Sequence, residues 1–192
     1  MKSTGKSVAG IVIYAVLYIA IIYGSLCLGY LHPFFWVYAS VVSSLFAGIP
    51  FLYISSKWHK FGVGTFLAVL MAGACMLAGE GTALNYVTII VAGIIVDVIR
   101  CVIGNDRIAG VRAVYPLFAL LPFGRTMVIW TDRANEIASQ AAEMGEAYGK
   151  TMEAITPWWM LILMILLTVA LAFAAMRVTE KVMKKSAMKF EA

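Results

Sequence analysis

Charged residues are scarce in this chain. Asp, Glu, Lys and Arg make up 13% of its 192 residues, whereas hydrophobic residues make up 62% and the mean hydropathy is +0.91. A soluble domain carries roughly 25% charged and roughly 45–50% apolar residues, so the composition argues against one. The apolar residues gather in runs close to the ~20 residues that a helix needs to cross a bilayer. The sequence therefore predicts a single membrane domain, 1–192, whose surface faces lipid.

Cysteine and histidine are also few, at three and two residues. No CxxC motif occurs, and Cys27, Cys75 and Cys101 each lie in or beside an apolar run, which predicts buried small hydrophobes. His32 and His59 fall on opposite sides of the predicted membrane, so they do not share a metal. HExxH and GxSxG motifs are missing as well. We therefore expect no enzyme activity, no metal, no cofactor and no ATP hydrolysis by this chain alone.

Six apolar runs predict the fold class, an all-α integral membrane protein built as a bundle of six transmembrane helices. The predicted spans are 8–31, 34–54, 61–79, 84–100, 109–131 and 158–176. The net charge of +5 could suggest a nucleic-acid partner. The basic residues lie between and after the apolar runs, however, so we expect the lipid bilayer and no nucleic acid as their partner.

Most of the 15 lysine and arginine residues fall on one side of this topology. They precede span one, separate spans two and three and spans four and five, and fill the basic tail 177–192. Cytoplasmic loops of membrane proteins carry the excess of Lys and Arg. The distribution therefore predicts that both termini are cytoplasmic.

The segment 132–156, between spans five and six, differs from the rest. Its apolar residues recur every three or four positions, from Ile137 to Ile155, and acidic residues dominate the other face. This spacing predicts one amphipathic outer helix that lies across the mouth of the bundle as a lid. A helix resting on lipid headgroups is the alternative. The acidic polar face favours the lid, because membrane-surface helices are usually basic.

Polar residues at membrane depth predict the functional site. Arg125 lies within span five beside Pro116 and Pro122, and interrupted backbone at depth often lines a cavity. Glu80 and Asn85 fall at the same outer end. The candidate ligand-binding residues are Arg125, Glu80, Asn85, Trp36, Trp130, Arg133, Tyr148 and Trp158. Two interpretations stay open for Arg125: contact with a ligand, or an ion pair with Glu80 that only locks the bundle. The tryptophans are equally compatible with an interfacial aromatic belt.

Short sequence segments also carry a resemblance to a known family. They are YAVLY at 14–18, FAGIPF at 46–51, KFG at 60–62, LPF at 121–123, WTDRA at 130–134 and AITPWW at 154–159. Together with six short spans, an outer lid and a basic tail, they resemble the substrate-binding S component of an energy-coupling factor (ECF) transporter. The similarity is closest to the Trep_Strep type, also labelled the MptD family, and it covers nearly the whole chain.

The resemblance implies a function and partners. An S component of the bacterial cytoplasmic membrane binds a vitamin or other micronutrient from outside, then docks on a transmembrane T component coupled to two ATPase subunits. Small residues on span one form the docking face in this family, often as Ala-xxx-Ala. Here that spacing is not intact, and the corresponding residues are Ala9, Gly10 and Ala15, with Ala47 of span two sharing the role.

Three other functions are weighed against this one. A self-sufficient secondary transporter or channel usually shows an inverted repeat or acidic residues at mid-membrane, and neither is evident. An intramembrane enzyme would need a set of catalytic residues, and the sequence shows none. A purely structural subunit does not require Arg125 or an amphipathic lid.

Overall fold

All regular structure in the described part of the chain is helical. The structure, a computed structural model, describes residues 2–187. The all-α prediction is therefore confirmed for this part. Lys189 and the rest of the predicted basic tail beyond residue 187 lie outside the described residues.

Thirteen α-helices follow one another within residues 2–187. They are α1 (Lys2–Cys27), α2 (Pro33–Val37), α3 (Ala39–Phe46), α4 (Gly48–Ser55), α5 (Val63–Leu77), α6 (Ala83–Ile103), α7 (Ile108–Phe118), α8 (Phe123–Thr126), α9 (Val128–Thr131), α10 (Arg133–Met144), α11 (Glu146–Ile155), α12 (Trp158–Val182) and α13 (Lys184–Ala187). A short 3-10 helix, Leu28–Tyr30, follows α1.

Three helical stretches are long and apolar enough to cross a membrane: Ser7–Tyr30, Ala83–Ile103 and Trp158–Val182. They coincide with the predicted first, fourth and sixth spans. The predicted third span corresponds to α5, an apolar helix of 15 residues. At 1.5 Å per residue such a helix is about 22 Å long, which is shorter than the ~30 Å hydrocarbon core.

The predicted second and fifth spans are not continuous helices. The second divides into α2, α3 and α4, and the fifth divides into α7, α8 and α9. Proline explains part of the division, because it lacks the N–H that continues a helix. Pro50 lies in the first turn of α4, Pro116 lies near the end of α7, and Pro122 directly precedes α8. The six-span count thus remains a prediction, with three spans supported by helix length.

The predicted single outer helix is wrong in one respect, because the segment forms two helices. Gly145 separates α10 from α11 with a φ of 96°. A side chain disfavours this backbone conformation, so glycine is the residue that permits the turn. The two helices pack against each other, with Gly149 on α11 lying against Ala141 on α10. Helical spacing identified the stripe but not the partner that covers it.

The interior is built around aromatic and aliphatic side chains from several helices. α5 packs along α6, α12 packs against α3 and α7, and α1 packs against α3 and α4. Tyr18, Phe51 and Phe118 are fully or almost fully buried, and the rings of Phe51 and Phe118 stack with centroids 4.3 Å apart. Of the cysteines, only Cys75 is buried, which corrects the expectation for Cys27 and Cys101.

Asp97 and Arg100, at one end of α6, correct another expectation. Both lie near the predicted cytoplasmic end of span four, a position that by itself indicates the water interface, whereas each is fully buried. The Asp97 carboxylate accepts hydrogen bonds from the backbone N–H groups of Gly64 and Thr65, at 2.8 and 2.7 Å, and so caps the first turn of α5. A carboxylate is favourable there because the first N–H groups of a helix have no partner within the helix.

Candidate functional site

A cavity of about 430 Å³ lies where the α5–α6 loop, the 3-10 helix after α1, α8 and α10 meet. Small-molecule sites commonly have volumes of roughly 300–1,000 Å³, so its size suits a small organic ligand. It is lined by five of the residues that the sequence selected: Trp36, Glu80, Asn85, Arg125 and Tyr148. Residues far apart in the sequence are therefore gathered at one place.

An ion pair between Arg125 and Glu80 forms the floor of the site. Nε of Arg125 lies 2.7 Å from Oε2 of Glu80. The Arg125 side chain is 10% exposed and that of Glu80 is 30% exposed. A charged side chain as deeply buried as Arg125 needs a partner, because leaving water costs several kcal/mol for an unpaired ion. The ion pair, one of the two interpretations of Arg125, is therefore present.

The same arginine retains capacity for a ligand. Its guanidinium carbon lies 4.1 Å from the ring centroid of Trp36, so the group is held against an aromatic face. Within residues 2–187, neither terminal nitrogen of Arg125 makes a hydrogen bond, and the side chain lines the cavity. The two interpretations of Arg125 are thus compatible, because Nε serves the ion pair and the terminal edge stays available.

Asn85 contributes to the position of this arginine. Its amide nitrogen donates to the carbonyl oxygen of Gly124 at 2.5 Å, and its amide oxygen accepts from the Thr82 backbone N–H at 2.9 Å. The first bond ties the start of α6 to α8, which carries Arg125. A Cβ on Gly124 would lie 2.6 Å from Ile89, so glycine is required for this close approach. Asn85 lines the cavity and holds its wall in place.

Helix α10 also lines the cavity. The residues through which it does so were not predicted from the sequence. Its contribution consists of Glu136, Ser139, Gln140, Glu143 and Met144. Their spacing of three and four residues places them on one helical face, and this spacing is the feature of the sequence that could have predicted them. Ala141 of the apolar stripe packs against Gly149 of α11. Met144 and Tyr148 of the same stripe line the cavity together with the acidic residues of α10.

Burial affects the titration of one of these carboxyls. Burial raises the pKa of Glu136 above its ordinary value, and the neighbouring Arg125 partly offsets this effect. Gln140 donates a hydrogen bond to Glu136 at 3.2 Å, which also favours the charged form. The negative charge of this carboxyl is therefore only partly compensated by its neighbours.

Tyr148 connects the lid, which we define as α10 and α11, to the end of α1. Its hydroxyl donates to the carbonyl oxygen of Gly29 at 2.8 Å. Burial raises the pKa of Tyr148 to about 12, so the phenol remains a hydrogen-bond donor at neutral pH. One hydrogen bond therefore spans from the lid to the wall of the cavity.

Three predicted site residues do not line the cavity. Arg133 donates to the Thr156 hydroxyl at 2.7 Å and to the Glu153 carbonyl at 2.7 Å, so it joins the start of α10 to the end of α11. Trp130 is 4% exposed and packs in a cluster with Val37 and Met164. Trp158 is 67% exposed at the start of α12. These residues were predicted to line the site because they lie near the ends of predicted spans. Their side chains point elsewhere, so they do not line the cavity.

The predicted docking residues differ in exposure. Ala9 is exposed on α1, and Gly10 is half-buried against Tyr53. Ala15 and Ala47 are buried within the protein, at 5% and 2% exposed. In this conformation a docking face therefore cannot use the last two directly.

Comparison with known proteins gives one match. A family model described as "Hypothetical bacterial integral membrane protein (Trep_Strep)" matches residues 5–189. No curated protein and no solved structure matches the chain.

Proposed function

The chain belongs to the Trep_Strep family of bacterial integral membrane proteins, and we propose that it is the substrate-binding S component of an ECF-type importer. In this role it captures a small micronutrient from outside the cell. It then delivers the ligand through a T component that is powered by two ATPase subunits.

The observation that supports this proposal is the cavity itself. A polar cavity of about 430 Å³ lies at one end of an apolar helical protein and is bordered by a two-helix lid. Its arginine is paired through one nitrogen only. Structural ion pairs alone do not require a cavity, whereas a binding subunit requires both a cavity and polar groups that can meet a ligand.

The proposed topology has six crossings, with both termini in the cytoplasm of a bacterial cell. The second and fifth crossings are completed by the interrupted helices α2–α4 and α7–α9. Interrupted backbone is tolerated at membrane depth where protein covers it, and α4 packs against α1, α7 and α12. The excess of Lys and Arg then lies inside, and the cavity opens outside.

The proposed partners are consistent with the absence of an ATP-hydrolysis motif in the sequence and with the exposed apolar face of α1. Val8, Val12 and Val16 are each more than half exposed and run along this helix beside Ala9. A T component could cover such a face within the membrane, where small residues allow close helix packing. Two ATPase subunits would then supply the energy.

Uptake by reconstituted vesicles tests the proposal. The full chain is placed in liposomes alone and together with a T component and two ATPase subunits from the same bacterium. Metabolites that co-purify with the chain are identified by native mass spectrometry and offered in labelled form. We expect one binding event per chain without partners and ATP-dependent multiple turnover with them.

The same experiment distinguishes an S component from a self-sufficient transporter or channel. Multiple turnover by the chain alone would overturn the S-component assignment and favour a self-sufficient transporter or channel. A chain with Arg125→Ala serves as the control for transport through the cavity, because its uptake should fall to the level of empty vesicles.

A further inference from the structure

The charges around the cavity are unequal. Among the described residues that line it, Arg125 is the only cationic side chain, whereas three carboxylates are present: Glu80, Glu136 and Glu143. Arg125 compensates Glu80 through the ion pair. Within the described part of the chain, neither Glu136 nor Glu143 forms an ion pair. Two negative charges on α10 are therefore left for a ligand to meet.

The charged groups that line the cavity are of two kinds, acceptors and donors. Glu136 and Glu143 lie two turns apart on α10 and offer only acceptors when ionised. Arg125 carries the donors, because its terminal nitrogens have no partner in residues 2–187. Tyr148 and Tyr30 also line the cavity and provide aromatic surface. The two carboxylates thus suit a cationic group, and the free edge of Arg125 suits a hydrogen-bond acceptor.

On these observations, and resting on the binding function proposed above, we propose that the cavity binds a small organic cation or zwitterion. Its protonated amine or amidine meets Glu136 and Glu143. Its acceptor, a carbonyl or carboxylate oxygen, meets the free edge of Arg125. An organic anion without a cationic group is rejected, because it would face two carboxylates that have no ion-pair partner among the described residues.

The environment of Glu136 agrees with this ligand class. Burial raises its pKa, which means that the ionised carboxylate lacks full compensation in the ligand-free protein. A cation beside it would restore that compensation. Cation–π contact with the tyrosines would favour the same charge.

Fractionated yeast extract provides a test in which the ligand need not be identified beforehand. The extract is passed in acid over a cation exchanger, which retains amines and zwitterions, and the flow-through is passed at neutral pH over an anion exchanger. The melting temperature of the purified full chain is measured with each fraction. We expect stabilisation by the cation-exchange fraction, and mass spectrometry of the bound material then identifies the molecule.

Matched Glu→Gln variants assign the effect to the cavity. Glu136→Gln and Glu143→Gln should each weaken binding of the identified molecule on the order of tenfold or more, because each removes a charge-assisted hydrogen bond. Glu146→Gln is the control, since Glu146 is exposed, pairs with Lys150 and does not line the cavity. The melting temperature of each variant without additive reports that it is folded.

The outcomes separate the two proposals. Stabilisation only by the anionic or neutral fraction would overturn the ligand class and leave the binding function standing. No stabilisation by any fraction would contradict the binding function and the ligand class together. Stabilisation by the cationic fraction that is unchanged in both cavity variants would show that α10 does not hold the cationic group.

Discussion

Two buried arginines in this protein lie in contrasting surroundings. Arg100 is fully buried at one end of α6 and donates through Nη2 to the carbonyl oxygens of Ser55, Trp58 and Asn105, at 2.9–3.3 Å. Arg125 is also buried, but it lines a cavity and pairs with a single carboxylate. Backbone carbonyls meet one terminal nitrogen of the first arginine, whereas a carboxylate, an aromatic ring and open space adjoin the second. Burial of a charge alone therefore does not identify a functional site; the space beside it does.

The largest expected effect concerns Arg125. Arg125→Ala should weaken ligand binding by about 100-fold or more, because it removes a charged donor and leaves the partly buried Glu80 without its partner. The protein should still fold and extract normally. Binding is measured by isothermal titration, with Arg125→Lys as a second variant that keeps the charge and loses the planar fork. Loss of folding in both variants would instead show that the ion pair is structural only.

Asp97 should give the opposite pattern. Asp97→Ala removes three hydrogen bonds at the start of α5, from Gly64 and from the backbone and hydroxyl of Thr65. Each buried donor left unpaired costs roughly 1–3 kcal/mol, so the melting temperature should fall markedly. Residual folded protein should bind ligand with unchanged affinity. Asp106→Ala, an exposed carboxylate near the same end, is the control. An unchanged melting temperature for Asp97→Ala would remove the capping role.

A smaller effect is expected for the hydrogen bond between the lid and the wall. Tyr148→Phe removes the bond to Gly29 and should weaken lid closure by about 0.5–1.5 kcal/mol. The ligand should dissociate several times faster, and the amides of α10 and α11 should exchange hydrogen faster. Tyr53→Phe, on α4 and away from the cavity, controls for loss of a hydroxyl. Equal exchange in wild type and Tyr148→Phe would show that this bond does not hold the lid.

The smallest expected effect is a pH dependence of the ligand-free protein. The pKa of Glu136 is raised in the folded state, so the folded protein holds this proton more tightly than the unfolded chain does. Its contribution to stability is complete below the ordinary pKa of 4.5 and is lost as pH rises through the raised value. Glu136→Gln should lack this loss, whereas Glu146→Gln should retain it. Parallel melting curves for wild type and Glu136→Gln across this range would contradict the assignment.

Several residues of the site could be predicted from the sequence. Trp36, Glu80, Asn85, Arg125 and Tyr148 were selected from charge, aromatic character and position, and all five line the cavity. Charge in an apolar segment is rare enough to be noticed without a structure. Arg133 and Trp130 were selected by the same reasoning and lie elsewhere, because each is directed toward a different helix.

The composition and the spacing of apolar residues by themselves determined that this is a helical membrane protein with an amphipathic segment before its last helix. These properties depend on the free energy of transfer of side chains into lipid and on the helical period. Both are set by residues that are close together in the sequence. Only the tertiary structure decided that the amphipathic segment divides at Gly145, that Ala141 in its first half packs against Gly149 in its second, and that Glu136 and Glu143 line the cavity. The partner of a helical face is set by packing among distant segments, and no local pattern in the sequence records which segment covers which.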